Sequence, residues 1–140
     1  MTPPKQSLIV PRPAHILVVD DDPEVLSAVR RVLRVSEPDW LVTTASSGRR
    51  ALDVMTTDRI DVVVTDLHMP EMDGYELLRH LEKSYPETIR IVHSSHTATL
   101  ATELLRYLAH NVVAKPADPA DILALVRWAV RASGAIRRHA

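Results

Sequence analysis

The chain has 140 residues, with 17 basic and 18 acidic side chains and a formal net charge of −1. This length predicts one domain with a sizeable core, and the balanced charge gives no reason to expect direct binding to nucleic acid or to a membrane. The absence of cysteine excludes disulfides and thiolate metal sites. No apolar run approaches the roughly 20 residues of a transmembrane helix, so we expect a cytoplasmic protein.

The predicted elements begin after a flexible, proline-rich lead that covers residues 1–14 and lacks the apolar core of a signal peptide. A first apolar strand spans residues 15–20, and Pro23 then suits the first turn of a helix. Apolar runs and helical spacings alternate from there on. Further strands are predicted at 40–45, 60–65, 89–93 and 111–114, and further helices after Gly48, from Gly74, within 100–108 and after Asp118.

This alternation of strands and helices predicts an α/β fold with a doubly wound, five-stranded parallel sheet. The strands are continuous apolar runs, as is typical of a sheet covered on both faces. Ligands of such sheets bind outside the carboxyl ends of the strands.

Charged residues stand at three of these strand ends. Asp20 and Asp21 follow the first strand, Asp66 follows the third, and Lys115 follows the fifth. Carboxylates brought together in this way repel one another unless they hold a cation or perform acid chemistry. The pattern therefore predicts a functional crevice at this edge of the sheet.

Three segments carry a family resemblance. Residues 19–23 read Val-Asp-Asp-Asp-Pro, residues 66–74 read Asp-Leu-His-Met-Pro-Glu-Met-Asp-Gly, and residues 115–116 read Lys-Pro. With a small hydroxyl residue after strand four, they resemble the receiver domain of two-component response regulators. The resemblance covers residues 15–132, leaves 133–140 as a tail, and implies the flavodoxin-like fold of chemotaxis regulators with strand order 2-1-3-4-5.

The resemblance also implies a Mg²⁺ site. Asp66 would be the phosphoacceptor and a ligand of the metal. Asp21 would bind Mg²⁺ directly, Asp20 mainly through water, and the backbone carbonyl of His68 would complete the protein ligands. This set fits the preference of Mg²⁺ for few carboxylates, several waters and a phosphate oxygen.

Two further residues are implied to contact the phosphoryl group. Ser94 would donate a hydrogen bond to it, and Lys115 would pair with its charge. His68 and His96 would flank the mouth of the site and affect how long the phosphorylated state survives. The other histidines are mostly expected at the surface.

The implied partner is a sensor histidine kinase or a phosphotransfer protein, and the protein is expected not to be an enzyme. Phosphorylation would switch a surface made of helix four, strand five and helix five, which is also a candidate homodimer contact. The family usually has an aromatic residue where this chain has Val112. Trp128 lies off the apolar stripe of helix five and is expected to be partly exposed.

Several residues receive structural assignments instead. Asp22 is expected to cap the helix that starts at Pro23, Asp73 and Gly74 to open helix three, and Lys115–Pro116 to be a cis bond that aims the lysine. The stretch 109–118 resembles receivers joined to HDOD-type or cyclic-dinucleotide output domains.

Two other functions stay open on the sequence. A degenerate receiver that acts only as an interaction module would be favoured if an acidic or lysine position were missing, and none is. A small Mg²⁺-dependent phosphohydrolase with an aspartyl phosphate would need a second aspartate two residues after the nucleophile, where His68 stands.

Overall fold

The computed structural model describes residues 12–95 and 103–134. The strands, β1 to β5 in chain order, are His15–Val19, Leu41–Ala45, Val62–Thr65, Ile89–Ser94 and Asn111–Ala114. The helices, α1 to α5, are Pro23–Ser36, Gly48–Thr57, Gly74–Ser84, Glu103–Leu108 and Pro119–Ser133. All strand pairs are parallel and the order is β2-β1-β3-β4-β5. The predicted fold class and strand order are confirmed.

The sheet is buried on both faces. Ile16 and Val18 of β1 pack into a core beneath α1 and α5, whereas Leu17 and Val19 pack into a second core beneath α2 and α3. Every residue of β1, β3 and β4 is buried. Both faces of these strands are therefore covered, which explains why apolar residues predominate in them.

The strand and helix boundaries differ slightly from those predicted. β3 begins at Val62 and not at residue 60. The side chain of Asp61, directly before it, holds the start of β1. Its carboxylate accepts the backbone N–H of His15 at 2.9 Å and pairs with Arg12. The predicted start of helix four at residue 100 lies outside the described residues.

Aspartates that begin helices act as caps. The side chains of Asp22, Asp73 and Asp118 accept backbone N–H groups of α1, α3 and α5 at 2.9, 3.0 and 2.9 Å. Each such cap is worth about 1 kcal/mol. The roles predicted for Asp22 and Asp73 at the starts of α1 and α3 are confirmed. Within residues 12–95 and 103–134, no helix combines the length and hydropathy that crossing a bilayer requires.

Candidate functional site

The candidate site lies at the carboxyl edge of the sheet, where β1 and β3 are neighbours. Asp20 directly follows β1, and Asp66 directly follows β3. The chain leaves β1 for β2 on one side and returns to β3 on the other, so this is the topological switch point. Crevices at such points are the usual ligand sites of open α/β sheets.

Three carboxylates meet in this crevice. Asp20, Asp21 and Asp66 each offer one oxygen, and the three oxygens lie within 4.8 Å of one another. Asp20 and Asp66 are buried, while Asp21 is exposed. Hard carboxylate oxygens at this separation fit a hard divalent cation such as Mg²⁺. The predicted convergence of these side chains is present in the structure.

Lys115 joins the cluster from the end of β5. Its Nζ donates to Asp20 Oδ2 at 2.6 Å and to Asp66 Oδ2 at 3.2 Å. Burial alone would lower the pKa of Lys115, but the hydrogen bond and charge of Asp20, aided by Asp66, outweigh it and raise the pKa. Burial also raises the pKa of Asp20, and the hydrogen bond from Lys115 offsets part of that rise. The lysine therefore stays charged and neutralises part of the acidic cluster.

Backbone groups hold the side chain of Asp66. Its Oδ1 accepts the N–H groups of Leu67 at 2.7 Å and His68 at 3.3 Å. Gly74 secures this segment from α3, since its N–H donates to the carbonyl of Leu67 at 2.9 Å. A Cβ atom at Gly74 would lie 2.2 Å from the carbonyl oxygen of Asp66. Sequence analysis gave Gly74 the opening of a helix but missed this close approach.

The remaining predicted residues lie around this cluster. Ser94 is the last residue of β4 and is fully buried, and its carbonyl accepts the N–H of Lys115 at 3.1 Å. His68 is exposed beside Asp66. The Lys115–Pro116 bond is cis, as predicted. His96 lies outside the described residues.

Comparison with known proteins identifies this arrangement. The response regulator receiver domain family matches residues 16–127. The chain belongs to this family. The two-component response regulator ORR3 of Oryza sativa subsp. indica is 35% identical over 118 residues, which cover 81% of this chain and 88% of that protein. Response regulator receiver domains interact with histidine kinases or phosphotransfer proteins.

Solved structures agree with the assignment. A response regulator receiver domain protein from Clostridium thermocellum is 30% identical, with a TM-score of 0.76, over 84% of this chain and 94% of that chain. The signal receiver domain of an HD domain-containing protein from Pseudomonas fluorescens Pf-5 is 25% identical, with a TM-score of 0.82, over 92% of this chain and 95% of that chain.

The chain spans only a small part of some longer relatives. The transcriptional regulatory protein GlrR of Escherichia coli is 39% identical over 85 residues, which are 61% of this chain but only 19% of GlrR.

Two histidines of the receiver domain depart from the sequence prediction. His93 lies on β4 beside Ser94 and is only 6% exposed, and His15 is also buried, although most histidines were expected at the surface. His68, His80 and His110 are exposed as predicted. Burial, with a smaller effect from Lys115, lowers the pKa of His93 to about 4. The signal available in the sequence was the position of this histidine inside a predicted buried strand, directly after Ile91 and Val92.

We expect His93 to make the stability of the receiver domain depend on pH. The folded pKa is about 4 and the reference value is 6.5, so between these values the unfolded chain binds more protons and stability falls as the pH is lowered. From pH 7 to pH 4.5 this loss should reach about 2 kcal/mol. Urea unfolding of the parent and of His93→Leu at both pH values measures it. An equal loss in both proteins would contradict the prediction.

Proposed function

We propose that this receiver domain accepts a phosphoryl group on the carboxylate of Asp66 from a phosphohistidine of a sensor histidine kinase or phosphotransfer protein. The observation that carries the proposal is the meeting of three carboxylates and one lysine at the switch point of the sheet. The carboxylate oxygens lie within 4.8 Å of one another, and Lys115 is 2.6 and 3.2 Å from two of the aspartates. A phosphoryl group arriving there would meet both a nucleophile and a cation.

The proposed step is a direct transfer between the donor and Asp66. A carboxylate oxygen of Asp66 attacks phosphorus while the bond from phosphorus to the donor nitrogen breaks, and the nitrogen keeps the electron pair. The product is an aspartyl phosphate. The backbone N–H groups of Leu67 and His68 keep the carboxylate in place during the attack. Lys115 offsets the negative charge that the phosphoryl group brings.

The residues present fit a bound Mg²⁺ ion. We assign Asp21 as a direct ligand because it is the exposed carboxylate of the cluster. Both oxygens of Asp20 are already used, Oδ1 by the N–H of Asp22 at 2.9 Å and Oδ2 by Lys115. In keeping with the family resemblance, Asp20 is proposed to act through water, with Asp66 and the carbonyl of His68 as further ligands. When bound, Mg²⁺ would neutralise charge on the phosphoryl oxygens.

Ser94 is proposed to sense the phosphoryl group. Because Ser94 is fully buried, its hydroxyl has to reorient before it can donate a hydrogen bond to that group. Such a movement would be transmitted along β4 to β5, since the backbone of Lys115 is bonded to Ser94. Val112 takes the place of the usual aromatic residue and packs in the cluster that contains Leu105 and Leu108. The switch is therefore proposed to run through the backbone and not through an aromatic rotamer.

The output surface is proposed to consist of α4, β5 and α5, and to be the homodimer contact. Three large side chains are exposed on its helices: Leu104 by 41%, Tyr107 by 66% and Trp128 by 39%. The predicted partial exposure of Trp128 is confirmed. Exposed aromatic side chains of this kind suit a protein contact. The functional unit is proposed to be residues 15–132. We propose that it is a phosphoacceptor without catalytic turnover and that it acts in the cytoplasm, where it would meet the proposed kinase.

Trp128 should report on this surface. We expect its fluorescence to shift when the domain is phosphorylated or when the protein concentration rises, because a partner would cover the indole ring. Trp40 is the only other tryptophan, so the variant Trp40→Phe isolates the signal of Trp128. Fluorescence of that variant that is unchanged by phosphorylation and by concentration would argue against a contact through Trp128.

Intact-mass measurement tests the proposed function. The protein is incubated with a small acyl phosphate and Mg²⁺ and then weighed. Gain of one phosphoryl group that persists supports the receiver function. Rapid release of phosphate with many turnovers would instead indicate the phosphohydrolase, and no gain in mass would indicate a phosphorylation-independent interaction module.

A further inference from the structure

A groove lies between α1 and the segment that joins β5 to α5, on the face of the sheet that these helices cover. Its volume is about 430 Å³. Most of its wall is aliphatic or proline, contributed by Val25, Val29, Val32, Pro116, Ala117 and Ile122. His93, Ser95 and Lys115 are the polar or charged residues among those that line it. The groove is thus an apolar concavity with few polar groups, as small-molecule sites usually are.

His93 supplies a polar atom that the fold leaves without a partner. Its neighbour Val92 packs in the core cluster beneath α3 and α4, and Ile91 packs in the opposite cluster beneath α1 and α5. By strand alternation His93 faces the same side as Ile91, which is the side of the groove. The residue is only 6% exposed, and its Nε2 has no hydrogen-bond partner among the described residues. Buried polar atoms are rarely left in this state.

The ring of His93 is neutral in this environment. Burial and the positive charge of Lys115 disfavour the imidazolium form, and the carboxylate of Asp66 only partly opposes them. A neutral imidazole nitrogen either donates or accepts one hydrogen bond, according to the tautomer. A ligand group that can do both satisfies Nε2 in either case, and a hydroxyl group is the simplest such group.

We propose that this groove binds a small apolar molecule that carries one hydroxyl group, with the hydroxyl hydrogen-bonded to Nε2 of His93. The aliphatic wall would surround the apolar body of the ligand. The groove adjoins the carboxylate cluster at Lys115, but most of its wall comes from α1, α5 and the β5–α5 segment. Binding there would need no phosphoryl group. A phenol with a short alkyl substituent has the required chemistry and a size suited to the groove.

The test compares two ligands of matched shape. ¹⁵N-labelled receiver domain is titrated with p-cresol and, separately, with p-xylene, in which a methyl group replaces the hydroxyl. We expect the backbone signals of Val29, His93 and Ile122 to shift, and p-cresol to bind about tenfold more tightly, as expected when a buried partner atom would otherwise stay unpaired. Equal affinities, or shifts at other residues, would overturn the proposal, as would an absence of binding.

Two variants separate the roles of the imidazole and of the groove. In His93→Leu the wall stays apolar, so p-xylene should still bind. The ratio of the affinities for p-cresol and p-xylene should then fall to about one, because the hydroxyl has lost its partner. Ala28 is an exposed residue of α1 that lines the groove, and Ala28→Trp should prevent both ligands from binding while the domain stays folded. Unchanged binding by either variant contradicts the assignment. Groove signals that shift with protein concentration alone would show that a second copy covers this face, which would also overturn it.

Discussion

Replacing Asp66 with asparagine should abolish phosphorylation by an acyl phosphate, and the mass of the intact protein should stay at its starting value. The amide oxygen of asparagine is a poor nucleophile, so the acyl phosphate cannot form. It can still accept the N–H groups of Leu67 and His68, which now bond to Asp66 Oδ1. The loss of phosphorylation would therefore come from chemistry and not from unfolding.

A neighbouring aspartate provides the control for this experiment. Asp22 is exposed and caps α1 through the N–H of Glu24, and asparagine caps helices as well as aspartate does. Asp22→Asn should thus be phosphorylated at the parent rate. If Asp66→Asn still gained one phosphoryl group, at any other residue, the assignment of the phosphoacceptor would be wrong.

Removal of the proposed metal ligand Asp21 should weaken the binding of Mg²⁺. We expect Asp21→Ala to weaken Mg²⁺ binding by at least about tenfold, the lower end of what the loss of even an outer-shell partner costs. Chelation of Mg²⁺ should likewise reduce phosphorylation of the parent protein. Calorimetric titration of both proteins with Mg²⁺ measures the change. Equal affinities would show that the exposed carboxylate of Asp21 is not a ligand.

The fold and the location of the charged cluster could be predicted because both follow from clear patterns of apolar and charged residues in the sequence. Continuous apolar strands that alternate with helical spacings allow few architectures other than a doubly wound sheet. In such a sheet the residues after the strands share one edge, which was enough to bring Asp20, Asp66 and Lys115 together. Capping roles could also be predicted, because a cap depends on local spacing between a side chain and nearby N–H groups.

Features that depend on long-range packing could not be predicted in the same way. The sequence contains no sign that both oxygens of Asp20 are occupied, since Lys115 lies 95 residues away along the chain. The burial of His93 depends on helices that cover β4 from other parts of the sequence. The contact of Gly74 with the carbonyl of Asp66 requires the three-dimensional path of the segment between β3 and α3.

The contact at Gly74 predicts a large effect of substitution on both stability and phosphorylation. In Gly74→Ala the new Cβ atom would stand 2.2 Å from the carbonyl oxygen of Asp66 and 2.6 Å from the Cα of Leu67. Both are backbone atoms, so the segment that carries Asp66 has to move. We expect a loss of roughly 1–3 kcal/mol in the free energy of unfolding, typical of overpacking. Phosphorylation should slow by at least about tenfold, because misplacement of a reacting group by 1 Å can cost more than that.

Gly48 makes a matched control for this substitution, since it also opens a helix directly after a capping residue. Neither glycine has a positive φ angle, so the gain in helix propensity from alanine is shared by both. At Gly48 the three atoms nearest to the added Cβ all belong to the side chain of Met72, with its sulfur at 2.8 Å, and methionine adapts readily. Urea unfolding and phosphorylation rates of both variants therefore isolate the contact with Asp66. If Gly74→Ala matched Gly48→Ala in both, the close packing of Gly74 would not be what positions Asp66.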